Sequence, residues 1–216
     1  IGKNAYQLLY FGQYKQSLNL AKLAVRINKR EEKLWLILSE AEIANELYKN
    51  ALNSLNKAQK INPNNSEIYF SKTNVYLKIS QLQSAKTALR KGLKIEPNNH
   101  KAIFQLGNIL LMENNYSEAI KLFDKSVQIK PDFWQAINNK ALAYFEENNI
   151  NLSIEHFKKA ISIQDNAEPL LGLASCLRIK DINFALKLAK KALSKDPNYV
   201  DYNFRKEQLW GEKLQS

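Results

Sequence analysis

Three prolines stand at equal intervals in this chain: Pro63, Pro97 and Pro131 are 34 residues apart, the next step reaches Asp165, and Pro197 follows 32 residues later. Each proline sits in a similar phrase: Ile61-Asn62-Pro63-Asn64-Asn65, Ile95-Glu96-Pro97-Asn98-Asn99, Ile129-Lys130-Pro131-Asp132-Phe133 and Lys195-Asp196-Pro197-Asn198-Tyr199. Proline disfavours helical geometry in the residue before it, so a helix is expected to end ahead of each, and the polar residues that follow open a turn. A period of this length marks a repeated supersecondary unit that packs on its neighbours, so the chain needs no single central core.

Aligned on that period, small residues recur in three columns. One runs Ala5, Ser39, Thr73, Gly107, Ala141; the second Ser17, Ala51, Ala85, Ala119, Ser153, Ala185; the third Ala24, Ala58, Gly92, Ser126, Ala160, Ala192. Smallness at these places lets two helices approach closely. Bulky residues fill the complementary columns, with Trp35, Tyr69, Ile103 and Ile137 early in the first helix and Leu55, Leu89, Phe123 and Phe157 in the second. Gly12, Asn114 and Asn148 fall between the helices, where a left-handed residue is useful.

This combination resembles the tetratricopeptide repeat family, whose pattern places Trp, Leu-Gly, Tyr, Ala, Phe and Pro along 34 residues. The resemblance covers essentially the whole chain. It implies an all-α fold, a right-handed superhelical solenoid of antiparallel helix pairs. The expected organisation is a single solenoid over 1–216, with a truncated first repeat (1–31), then 32–65, 66–99, 100–133, 134–165 and 166–199, and a capping helix over 200–214. Pro169 and one extra residue between Gly172 and Ala185 make the sixth repeat the least regular.

In this family the first helix of each repeat lines the concave surface. Helical spacing of four and then three residues sets Phe70, Asn74 and Leu77 on one face, Phe104, Asn108 and Leu111 on the equivalent face of the next repeat, and Asn138, Leu142 and Phe145 after them. Lys101 joins them. Asn side chains both donate and accept, so a row of them suits the backbone of a bound peptide, while Phe and Leu receive its side chains. The resemblance implies a protein-interaction module or assembly scaffold that holds a peptide or helix of a partner protein in this groove. The clamp with which some relatives hold an acidic chaperone C-terminus is incomplete: Leu36 and Glu40 stand at its second-repeat places, although Asn74, Lys101 and Asn108 supply fragments.

Enzymatic readings find no support. His100 and His156 lack a metal-binding spacing, Cys176 has no histidine near it in sequence, and Glu31-Glu32 and Glu146-Glu147 read as solvated charge. No glycine-rich phosphate loop occurs, so no cofactor, metal or catalytic residue is expected. The single cysteine excludes an intrachain disulfide. The formal charge of +11 comes from 27 Lys and only 5 Arg, beside 25 Asn. That mixture fits AT-rich codons, and scarce Arg argues against phosphate reading. A basic solenoid that binds nucleic acid or docks on an anionic membrane is the alternative. It would need a continuous Lys stripe instead of Lys dispersed over outer helices, as at Lys158-Lys159 and Lys190-Lys191. No apolar run is long enough to cross a bilayer. A cytoplasmic location is expected, peripheral membrane association being compatible with it, and the start at Ile1 suggests that a preceding segment carrying any targeting signal is missing.

Overall fold

The structure, a computed structural model, describes residues 1–215 and is helical throughout, with no β-strand among them. Helices α1 (Gly2–Tyr10) and α2 (Tyr14–Ile27) form the first pair, followed by α3 (Glu32–Ala44) with α4 (Tyr48–Ile61) and α5 (Ser66–Lys78) with α6 (Leu82–Ile95). Then come α7 (His100–Met112) with α8 (Tyr116–Ile129), α9 (Trp134–Glu146) with α10 (Ile150–Ile163) and α11 (Ala167–Leu177) with α12 (Ile182–Lys195). A 3-10 turn (Pro197–Val200), α13 (Tyr202–Glu207) and α14 (Glu212–Gln215) complete the chain. Its contacts divide it into two compact units, Ile1–Pro97 and Asn98–Ser216.

Both connections within the repeat have a local cause. Between first and second helix, Gly12, Glu46, Ser80, Asn114 and Asn148 all have positive φ, between 57° and 72°. The amide three residues beyond the helix end then bonds back across the last turn, as from Leu47 to the Glu42 carbonyl (2.8 Å), from Gln81 to Tyr76 (2.8 Å) and from Asn115 to Leu110 (2.8 Å). This left-handed stop satisfies carbonyls that the helix end would orphan. Glu46 and Ser80 hold the geometry without the usual glycine or asparagine.

Between repeats, the residue ahead of each proline is extended: Asn62 lies at φ −135°, ψ 90° and Lys130 at φ −130°, ψ 93°. Asn28 takes the same geometry, φ −135°, ψ 94°, with lysine following it. Proline thus reinforces a bend that the repeat makes anyway. Asn65 and Asn99 then cap α5 and α7, accepting from the amides of Glu67 and Ala102 (3.0 Å each).

All three small columns are interior. Ala5, Ala51, Ala85, Ala119 and Ala141 have no exposed surface. Ser17 and Ser153 donate to the carbonyls of Ala5 (2.7 Å) and Ala141 (2.9 Å) on the paired helix, so the polar members of the column tie together the backbones that smallness brings close. Phe123 and Phe157 are fully buried, each contributing about 1.5–3 kcal/mol by removal from water.

The first unit has its core around Leu18, Trp35, Leu36, Leu55 and Ile68. In the second unit one cluster joins Phe123, Phe133, Leu110 and Leu111, and another joins Leu142, Phe145, Phe157, Leu170 and Trp210. The capping element differs from one continuous helix over 200–214. Asp201 caps α13 by accepting from the Phe204 amide (2.7 Å), and Leu209 at φ 67° then turns the chain before α14. That break lets Trp210 point back into the unit.

Candidate peptide-binding face

The first helix of each repeat carries the residues expected to meet a ligand, and their surroundings differ between the two units. In the first unit, Asn74 of α5 is exposed and Leu77 is half-buried. Phe70 is also half-buried, but its ring covers Gly92 of α6 so closely that no Cβ would fit there. It therefore supports the helix pair as well as edging the face. Leu36, at the place of Phe70 in the preceding first helix, is core at 5% exposure.

In the second unit Lys101 is exposed. Phe104 is half-buried, with its ring centroid 4.9 Å from Phe133 and 5.8 Å from Phe123. Asn108 accepts a hydrogen bond from Asn139 Nδ2 (2.9 Å), and Asn139 Oδ1 accepts from Asn138 Nδ2 (3.1 Å), so the amides form a chain among themselves. Leu111, Asn138, Leu142 and Phe145 are buried, with exposures of 5%, 0%, 1% and 8%. The expectation that all ten residues are spare surface is therefore corrected for these four, and Phe70 and Phe104 are packed along one side.

Both α11 and the C-terminal segment pack on this side of α9. Trp210 and Leu214, exposed by only 4% and 3%, join the apolar cluster of Leu142, Phe145, Leu170 and Leu173. Leu209 packs with the cluster that holds Leu111. The Leu214 amide donates to Glu146 Oε1 (3.2 Å), and the Lys213 ammonium donates to the Glu146 carbonyl. Glu146, read from sequence as solvated, is 6% exposed and belongs to this seat. Its neighbour Glu147 accepts from Ser117 (2.6 Å) at the surface.

Glu168 of α11 lies in the same region. The residue is partly exposed, yet its carboxyl is desolvated, and burial pushes it up to about 7 against the opposing pull of the Asn138 amide and the Trp210 indole. The Trp210 Nε1 and Asn138 Oδ1 atoms are buried without a well-formed hydrogen bond. Sequence reasoning did not identify Glu146, Glu168, Lys213 or Leu214 as parts of one site. The only local signal was Trp210, a large aromatic beyond the last repeat.

The remaining chemically capable groups are structural in their contacts. Cys176 is 7% exposed with Sγ 3.4 Å from Ser153 Oγ, and burial raises its thiol to about 11, far from a reactive thiolate. His100 packs edge-on to Phe133 (5.2 Å), and His156 Nδ1 lies 2.9 Å from the Leu152 carbonyl; burial lowers both imidazoles below their ordinary value. No group of acids, histidines and cysteine that could hold a metal occurs among the described residues. Lys158, Lys159, Lys190 and Lys191 are exposed on the second helices α10 and α12. No helix among the described residues is long and apolar enough to cross a membrane.

No curated protein matches the sequence. Solved structures of similar fold include PilF of Pseudomonas aeruginosa, with a TM-score of 0.80 at 16% identity over 95% of each chain. MamA of Desulfovibrio magneticus superposes with a TM-score of 0.70 at 22% identity, covering 79% of this chain and 97% of that one. YrrB, described as a TPR protein with an unusual peptide-binding site, gives a TM-score of 0.63 at 22% identity over 86% of this chain and 88% of that one. At these identities the likeness is one of fold. Family models described as tetratricopeptide repeat match residues 32–65, 76–141 and 135–166, together more than half of the sequence. With the 34-residue period, the left-handed stops and the buried small columns all in place, the chain belongs to the tetratricopeptide repeat family.

Proposed function

We propose that this protein is an interaction scaffold without chemistry of its own, and that it holds a peptide or short helix of a partner protein against the faces of its first helices. What supports the reading is the C-terminal segment: a stretch of polypeptide already lies against α9, with two apolar anchors buried and an amide hydrogen-bonded to Glu146. Such a face is chemically able to receive a peptide, since it receives this one. The equivalent face of α5 keeps Asn74 and Leu77 at the surface, and Lys101 and Phe104 are further contacts on α7. YrrB offers a parallel in a protein of like fold.

The test is site-specific photo-crosslinking in extract from the native source. A photoreactive residue at position 74 is expected to trap a polypeptide, whereas one at exposed Arg90 on α6 is not. Adducts formed only from position 90, or adducts to nucleic acid in place of protein, would refute the assignment.

A further inference from the structure

The C-terminal segment has the contacts of a ligand more than those of a lid fitted for stability. Its apolar anchors are few and separate, Trp210 and Leu214. Its polar contacts fall on the end of α9, where the Lys213 ammonium meets the Glu146 carbonyl, a place where the helix dipole favours a cation. Gly211 lies against the Glu146 carboxyl so closely that a Cβ would come within 2.7 Å of Oε2 and nearer still to Oε1, so any larger residue beside the anchor must displace that carboxyl. Asn138 Oδ1 and Gln215 Oε1 remain buried without a hydrogen-bond partner, and each such group costs free energy that a better-matched occupant would recover. A cleft of about 590 Å³ stays open beside the segment, bordered by Leu111, Tyr116, Glu146 and Leu209. The covered residues Leu142 and Phe145 continue the series that Asn74 and Leu77 begin on α5, where it is at the surface.

We propose that Leu209–Gln215 is a built-in ligand of the α9–α11 face, which closes that face to a partner segment of the same chemistry: an aromatic anchor followed at once by glycine and, three residues further on, by leucine. This rests on the reading that first-helix faces bind peptides. The segment is tethered through α13, so it competes at high effective concentration, and a partner gains the face when the segment leaves it.

The test uses the full chain and a fluorescein-labelled synthetic peptide of residues 207–216, followed by fluorescence anisotropy. Trp210→Ala removes the anchor of the internal segment, and Gly211→Val crowds it against Glu146 while leaving the helix pairs untouched. Both variants are expected to bind the peptide at least about tenfold more tightly than the wild type, whose face is occupied. A peptide with its own tryptophan replaced by alanine should bind none of the three. A peptide keeping only the tryptophan, glycine, lysine and leucine on an alanine background should bind the variants. Equal binding to wild type and variants would overturn the proposal, as would absence of binding to either variant when circular dichroism shows it melting cooperatively. A wild-type dimer in which Trp210 of one copy lies against Glu168 of the other would overturn closure within one chain. Crosslinking at position 74 does not involve this segment, so failure here leaves the general binding reading standing, and failure there leaves this result interpretable.

Discussion

Gly107→Ala sets two effects of known sign against each other. In a helix interior, replacing glycine by alanine favours the helix by about 1 kcal/mol. Here, however, the added Cβ would lie 2.6, 2.9 and 3.1 Å from three ring carbons of Phe123. That ring is fully buried and flanked by Phe104, so the roughly 0.5–1 Å shift needed to restore ordinary carbon contact has no empty space to use. Overpacking of this kind costs about 1–3 kcal/mol. The net expectation is destabilisation by about 1 kcal/mol, which at a urea slope near 2 kcal/mol/M moves the midpoint down by roughly 0.5 M. Urea titration followed by helical ellipticity measures it. Phe123→Leu in the Gly107→Ala background should be less destabilising than the two changes summed, because the smaller side chain relieves the clash. A midpoint for Gly107→Ala at or above wild type, or strict additivity of the pair, would refute the account of this column as a close-contact line.

The left-handed stops make Ser80→Gly and Glu46→Gly stabilising by about 0.5–1 kcal/mol each, since the residues at φ 57° and 60° bear a Cβ that glycine lacks; unchanged or lowered urea midpoints would contradict this. Glu168 holds its proton up to about 7 in the folded chain but releases it in the ordinary carboxylate range once unfolded. The folded state therefore binds the extra proton between those values, and its contribution to stability, full at acid pH, is lost as pH rises through about 7. Glu168→Gln should remove that slope, read as the wild-type-minus-variant difference in thermal midpoint from pH 4.5 to 8; a difference that does not fall with pH would count against a desolvated carboxyl under Trp210. Using the difference cancels His100 and His156, whose lowered imidazoles act with the opposite sign.

How far the fold was legible follows from how local its causes are. The pre-proline bend, the left-handed stop and the small columns each act within one repeat or between adjacent helices, so a 34-residue period was enough to place six helix pairs. Glu46 and Ser80 escaped notice because nothing in their side chains announces positive φ; only their register with Gly12 and Asn114 does. The sequence by itself determined that the chain is a helical repeat array and which face of each first helix lies outside the small columns. Whether that face is open was decided by tertiary structure alone. Lys213 and Leu214 meet Glu146 across 67 and 68 residues of chain, and no periodic pattern encodes such a pairing. Asn74 and Leu142 hold the same place in their repeats, yet one is at the surface and the other is 1% exposed, because burial depends on what packs over the face and not on the residue's own register.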